Sequence, residues 1–194
     1  MNKEDIIQYY IDFMGAKTYL EIGVRNGDSF LAVKCDKKIG VDIYFPHVPS
    51  SDMDTFYEMT SDTYFNNYAT NFDVAFIDGD HTYEQSLRDA ENCLRFMNPN
   101  GAILLHDCNP TKAEWATPEW TGADIHWCGE VWKTIVTLRT RPDLYVTVLN
   151  ADFGLGIVKK AQPLEVLLYS REEIQKMTYG DLEKNRFELL DLQA

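Results

Sequence analysis

Two short clusters hold most of the side chains able to move protons or hold ions: Asp78-Gly79-Asp80-His81 and His106-Asp107-Cys108-Asn109. Histidine has the unperturbed pKa nearest neutrality, so His81 is the preferred general base, with Asp80 the other candidate. The plainer roles are a histidine satisfying a loop and an aspartate capping the next helix. Asp78 and Asp107 are hard oxygen donors that can converge on one divalent cation. Their plainer roles are hydrogen bonds to loop amides and the capping of a turn. Upstream lies Glu21-x-Gly23-x-x-x-Gly27, where glycine permits positive φ and leaves backbone bare for a ligand. Asp42 follows about twenty residues later, where an acid can hold ribose hydroxyls.

Each cluster needs an element to present it. Tyr19, Leu20 and Ile22 make a short apolar strand running into the glycine turn, after which Asp28 or Ser29 can cap a helix. Before it, Ile6, Ile7, Tyr10, Ile11 and Met14 share one face of a helix over 3–14 that Gly15 ends. Lys38–Asp42 reads as a second strand, 44–54 as loop, Thr55–Met59 as a weaker strand, and Thr60-Ser61-Asp62 opens a short helix. Phe72–Ile77 is the clearest strand. Leu87, Ala90, Leu94 and Met97 then keep helical spacing until Asn98-Pro99-Asn100-Gly101 stops them. Ala102–Leu105 is a fifth strand, and a helix spans about 130–139. Tyr145–Leu149 and Gly154–Val158 form a hairpin across a four-residue link. The tail from about 171 to 192 is helical with polar breaks.

Strands alternating with helices imply an α/β fold: a doubly wound, mostly parallel, seven-stranded Rossmann-like sheet with helices on both faces and a C-terminal antiparallel hairpin strand at one edge. Ligands of such sheets bind beyond the strands' carboxyl ends, where strand order reverses. Glu21–Gly27, Asp42, Asp62, Asp78–His81 and His106–Asn109 all fall at or just after strand ends, which makes them one rim.

With 194 residues and no repeat or linker, the chain is expected to form a single domain, 1–194, with a lid at 110–128 and a helical tail at 165–194. A formal net charge of −13 argues against a nucleic-acid partner, since phosphate backbones need a basic footprint. No apolar run is long enough to span a bilayer, and residues 1–5 lack the basic and apolar regions of a signal peptide. A cytoplasmic location follows, with no membrane partner. The four cysteines include no Cys-x-x-Cys pair, so buried free thiols are expected.

Two nucleotide-like ligands compete for the turn. A pyrophosphate fingerprint wants Gly-x-Gly-x-x-Gly, but Arg25 stands where the second glycine belongs, and Glu21 would sit badly beside two phosphates. A carboxylate there suits a cationic amino acid moiety better. Here the chain resembles the class I S-adenosylmethionine-dependent methyltransferases, whose first motif is acid-x-Gly-x-x-x-Gly. Its bacterial small-molecule branch is matched by Asp-Gly-x-His at 78–81, His-Asp at 106–107, Gly129–Lys133 and Gly154–Gly156. The resemblance spans about 15–160.

It implies S-adenosylmethionine as cofactor, held by Glu21, Gly23, Arg25, Asn26, Gly27, Asp42 and Asp78, with Ser61 and Asp62 beside the adenine. It also implies Mg2+ or another divalent cation on Asp78, Asp107 and Asn109. Cys108 stands where the metal-dependent relatives carry their next ligand, and a thiol serves magnesium poorly, so Asn109, His106 or Asp80 must substitute. The activity implied is methyl transfer to a small acceptor, on a hydroxyl of a sugar or secondary metabolite. Trp115, Trp120 and Trp127 would cover that acceptor, while Trp132 is assigned to the core. A homodimer is compatible with this reading. The alternatives are an NAD-dependent short-chain oxidoreductase, for which 111–140 lacks the Tyr-x-x-x-Lys pair, and an inactive cofactor-binding module.

Overall fold

The computed structural model describes residues 2–45, 48, 51–122 and 126–193. The chain divides into two compact units. The first comprises Met1–Asp80 and Arg88–Leu104, the second His81–Leu87 and Leu105–Ala194.

The first unit starts with α1 (Lys3–Met14), capped by the Asn2 side chain, which accepts from the Asp5 amide at 2.9 Å. Ile6, Ile7 and Ile11 form its buried stripe, and Gly15, at φ 59°, ends it as expected. The unit's strands are β1 (Thr18–Ile22), β2 (Lys37–Asp42), β3 (Asp54–Glu58), β4 (Phe72–Ile77) and β5 (Met97–Leu105). They lie in the order β3-β2-β1-β4-β5, and β1 is parallel to both β2 and β4. The order therefore reverses between β1 and β4. Both strands are buried along nearly their whole length, which is why they read as unbroken apolar runs. The helices are α2 (Asp28–Ala32), α3 (Ser61–Asn67) and α4 (Tyr83–Phe96), the last giving its first residues to the second unit.

Three local expectations change. Gly27, not Asp28 or Ser29, is the N-cap of α2, because the Ser29 hydroxyl is bonded to Glu21 instead. The β2-to-β3 crossover has no helix among the described residues, so the strand–helix alternation is incomplete there. Strand β5 begins at Met97 rather than Ala102. Its early residues are anchored by the Asn98 amide on Asp73 Oδ1 at 2.7 Å, and Gly101 packs against the Asp73 carbonyl at a spacing only glycine allows.

The second unit holds α5 (Val131–Leu138), the hairpin β6 (Leu144–Leu149) and β7 (Leu155–Lys160), helices α6 (Arg171–Lys176) and α7 (Tyr179–Leu190), and β8 (Leu192–Gln193). Strands β6 and β7 are antiparallel, with Leu149 opposite Leu155. The order is β7-β6-β8, so a two-residue strand, parallel to β6, takes the outer place that the hairpin was expected to hold. Among the described residues the strands number eight, one more than expected. Trp132 is core, 1% exposed, as expected. Lys133 on the same buried helix is satisfied by Glu130 at 2.7 Å and the Gln175 carbonyl at 3.0 Å. None of the four cysteines is joined in a disulfide among the described residues. The architecture is α/β, a mostly parallel sheet with a C-terminal antiparallel pair. Among the described residues no helix is long and apolar enough to cross a membrane.

Candidate active site

In the first unit the turn after β1 lies against the turn after β4. Gly23 adopts φ 85°, and a β-carbon there would collide with the Asp78 carbonyl and come within 2.7 Å of the Gly79 α-carbon. The Gly23 amide donates to the Val41 carbonyl at 2.9 Å, and the Asp78 amide to the Ile22 carbonyl at 2.8 Å. Three strand ends are thus stitched together around bare backbone. Arg25, exposed and at φ 52°, donates its amide to Asp42 Oδ2 at 2.7 Å, and the Tyr44 amide donates to Asp42 Oδ1 at 3.1 Å. Asn26 is exposed beside it, and Gly27, at φ 84°, completes the turn.

Glu21 is fully buried. Its carboxylate accepts from the Tyr19 hydroxyl at 2.5 Å and from the Ser29 hydroxyl at 2.7 Å. Burial pushes its pKa up to about 7. The two hydroxyls and the Lys3 charge pull the other way, and Asp78 adds to the rise. The carboxylate braces strand to helix from inside. In the sequence Tyr19 reads as a strand residue and Ser29 as a helix cap, not as partners of Glu21, although Tyr19 stands two residues from Glu21 and so shares its strand face.

Asp78 makes an ion pair with Lys3, Nζ to Oδ2 2.9 Å. Lys3, also unremarked in the sequence, comes from the first turn of α1. At the opposite side of β1, Thr60 caps α3 through the Thr63 amide at 3.2 Å, leaving Ser61 and Asp62 in the first turn. The Asp62 carboxylate is bonded to Arg88 at 2.9 Å.

In the second unit, His81 Nδ1 lies 2.8 Å from the Trp127 carbonyl. A carbonyl only accepts, so Nδ1 carries the proton and Nε2 is the basic nitrogen of the neutral ring. Nε2 faces Asp107 Oδ2 at 3.5 Å, and the ring stacks on Trp127 at 5.2 Å between centroids. The Glu130 amide holds the His81 carbonyl at 2.8 Å, and Gly129, at φ 58°, packs so close to it that a β-carbon would not fit. Asp80 is exposed, and at the start of α4 the Thr82 Oγ1 accepts from the Gln85 amide at 3.4 Å.

Asp107 is buried and held at φ 60°, a left-handed conformation costly for a residue with a β-carbon. It also meets His106 Nδ1 at 3.1 Å, and His106 Nε2 stands 3.6 Å from Asp152. Backbone bonds from Cys108 to Gly154 at 2.9 Å and from Asn109 to Phe153 at 2.7 Å fix this turn. The Cys108 thiol points back to the Leu105 carbonyl.

Of the three residues to which the resemblance assigns a divalent cation, two already face cations of the chain itself. The Asn109 amide oxygen is bonded to the Arg186 guanidinium, whose charge opposes a second cation there. Asp78 already faces the Lys3 ammonium. Asp107, the third, faces His81 and His106.

Of the expected lid, Trp115 packs edge-on to Phe153 at 5.5 Å with Lys112 over its ring at 4.6 Å, and Trp127 donates to the Thr117 carbonyl at 2.8 Å. Trp120 is 63% exposed. Residues 123–125 of that segment lie outside the described residues.

Strand order, glycine turn and terminal acid make a Rossmann-like arrangement, and comparison with known proteins agrees on that fold. Residues 20–108 match the family described as a methyltransferase domain. Among solved structures, the chain is similar to the S-adenosylhomocysteine-bound methyltransferase PaMTH1 of Podospora anserina, at 18% identity, TM-score 0.63, over 82% of this chain and 78% of that one. It is also similar to the O-methyltransferase TomG of Streptomyces achromogenes, involved in tomaymycin synthesis and solved with S-adenosylmethionine (14%, TM-score 0.61, 82% and 79%). A third is an O-methyltransferase of Bacillus cereus in complex with S-adenosylhomocysteine (17%, TM-score 0.55, 80% and 78%). No curated protein matches the sequence. The chain thus contains a segment that matches a methyltransferase-domain model and shares the fold of these S-adenosylmethionine-dependent methyltransferases.

Proposed function

We propose that the enzyme moves the methyl group of S-adenosylmethionine to a hydroxyl oxygen of a small cytoplasmic acceptor, a sugar or a secondary metabolite. The observation that carries this reading is the crevice at the β1/β4 reversal, with bare backbone from Gly23 to Gly27 and Asp42 fixed at the end of β2. In it the donor lies along Gly23, Arg25, Asn26 and Gly27, its ribose diol on Asp42 and its adenine beside Ser61 and Asp62. Asp78 serves the methionine end, and Glu21 acts from beneath by bracing the turn. We read the chain as one catalytic domain, since the matched segment 20–108 runs through residues of both units.

The reaction is an in-line displacement. An acceptor oxygen bonds to the methyl carbon as the carbon–sulfur bond breaks, and that electron pair returns to sulfur as a neutral thioether. The hydroxyl proton goes to His81 Nε2. Trp127 orients the ring through Nδ1, and Asp107 stabilises the imidazolium that forms. Chain continuity puts His81 three residues beyond Asp78. Asp80 is the alternative base. No step is assigned to a metal, because Asn109 and Asp78 face cations of the chain itself. The aromatic faces of the 110–128 segment suit an apolar or sugar ring, and the −13 net charge disfavours nucleic acid.

Replacing His81 with alanine tests the base. Donor binding should persist while turnover falls about 100-fold or more, within the range of general-base catalysis. Unchanged turnover would remove His81 from the mechanism.

A further inference from the structure

We propose that Lys3, on the first turn of α1, is a donor-binding residue that takes the α-carboxylate of S-adenosylmethionine, so that the N-terminal helix forms part of the cofactor site. The inference rests on the donor-site reading above and follows from strand order. With the ribose on Asp42 at the end of β2, the rest of the donor must run across β1 toward β4, since β1 lies between them. Two strand spacings, about 10 Å, bring its amino acid end to the carboxyl end of β4. Asp78 and Lys3 stand there, paired at 2.9 Å, with both side chains 20% exposed.

The charges at that end are complementary to a zwitterion. Asp78 is a partner for the α-ammonium. The α-carboxylate needs a cation or free amides, because Asp78 on its own would repel it. Lys3 supplies the cation. Its ammonium has three donors, so it can hold Asp78 and a ligand carboxylate together. Its place is fixed: the ammonium lies 5.6 Å from the centre of the Phe76 ring, and its charge is felt at Glu21. Helix α1 is anchored independently by Ile6, Ile7 and Ile11, so the lysine is not required to seat the helix.

The test compares S-adenosylmethionine with its decarboxylated analogue by calorimetric titration, on the wild-type protein, Lys3→Met and Lys3→Arg. A charge-assisted contact of this kind corresponds to roughly a 10- to 100-fold change in Kd. Lys3→Met should weaken the full donor by that factor and leave the analogue unchanged, while Lys3→Arg should stay within about threefold of wild type. The wild-type protein should itself bind the analogue more weakly than the full donor, a result that needs no variant to fold. Equal losses for both ligands in Lys3→Met would mean that the residue acts only on the fold, and no loss for either would remove it from the site. Both outcomes overturn the proposal. Failure of the wild-type protein to bind S-adenosylmethionine would instead sink the donor-site reading.

Discussion

Glu21 offers a direct check on the electrostatics of the donor turn. Its carboxyl is fully buried, and its pKa rises from an ordinary 4.5 to about 7. Above pH 4.5 the unfolded chain gives up this proton while the folded protein keeps it. Between 4.5 and 7 the folded state therefore binds more protons, and stability falls as pH rises through that window. Above 7 both states are ionised and the loss is complete. At ~1.4 kcal/mol per tenfold change in proton affinity, the cost reaches about 3 kcal/mol. Glu21→Gln keeps the shape and stays neutral throughout, and the Tyr19 and Ser29 hydroxyls can each donate or accept to suit it. Urea denaturation of both proteins from pH 4.5 to 8 gives the difference, in which every other titrating group cancels to first order. The variant should gain on the wild type steadily from pH 4.5 to about 7, by roughly 3 kcal/mol in all, and then level off. Parallel stability profiles would refute the buried, proton-retaining carboxyl.

Other consequences are more local. Gly23→Ala puts a β-carbon into the Asp78 carbonyl at a left-handed φ, so stability should drop on the order of 3 kcal/mol in urea denaturation, with donor binding lost. Asp42→Asn removes the charge from the acceptor of the Arg25 and Tyr44 amides and, by this reading, of the ribose diol. Donor affinity should fall about 10- to 100-fold in calorimetry while the melting temperature barely moves. Because Asn109 is bonded to Arg186 and Asp78 to Lys3, a chelator should leave turnover unchanged; a loss restored by added Mg2+ would show that these contacts give way to a cation.

What could be read from the sequence follows from how locally each feature is encoded. Strands β1 and β4 are buried on both faces, so they appear as apolar runs, and the glycines after β1 mark a turn because no other residue fits. The ends of α1 and α3 were equally clear, since capping and stop residues lie next to the helices they bound. Strand β8 left no pattern, being two residues long. The hidden part of the site depends on contacts across long separations. Lys3 meets Asp78 across 75 positions, and Arg186 reaches Asn109 across 77. Periodicity says nothing about such pairs, so Lys3 read only as a helix start and Asn109 as an open oxygen donor. Ser29 was recognisable as a polar residue at a helix start. Its choice of Glu21 over the helix amides was decided by the need to satisfy a buried carboxyl.

The most direct test of the donor-site account is parallel calorimetric titration of the wild-type protein with S-adenosylmethionine and with NAD. The account predicts saturable one-to-one binding of the sulfonium nucleoside and no heat from the dinucleotide; saturable binding of NAD with none of S-adenosylmethionine would contradict it.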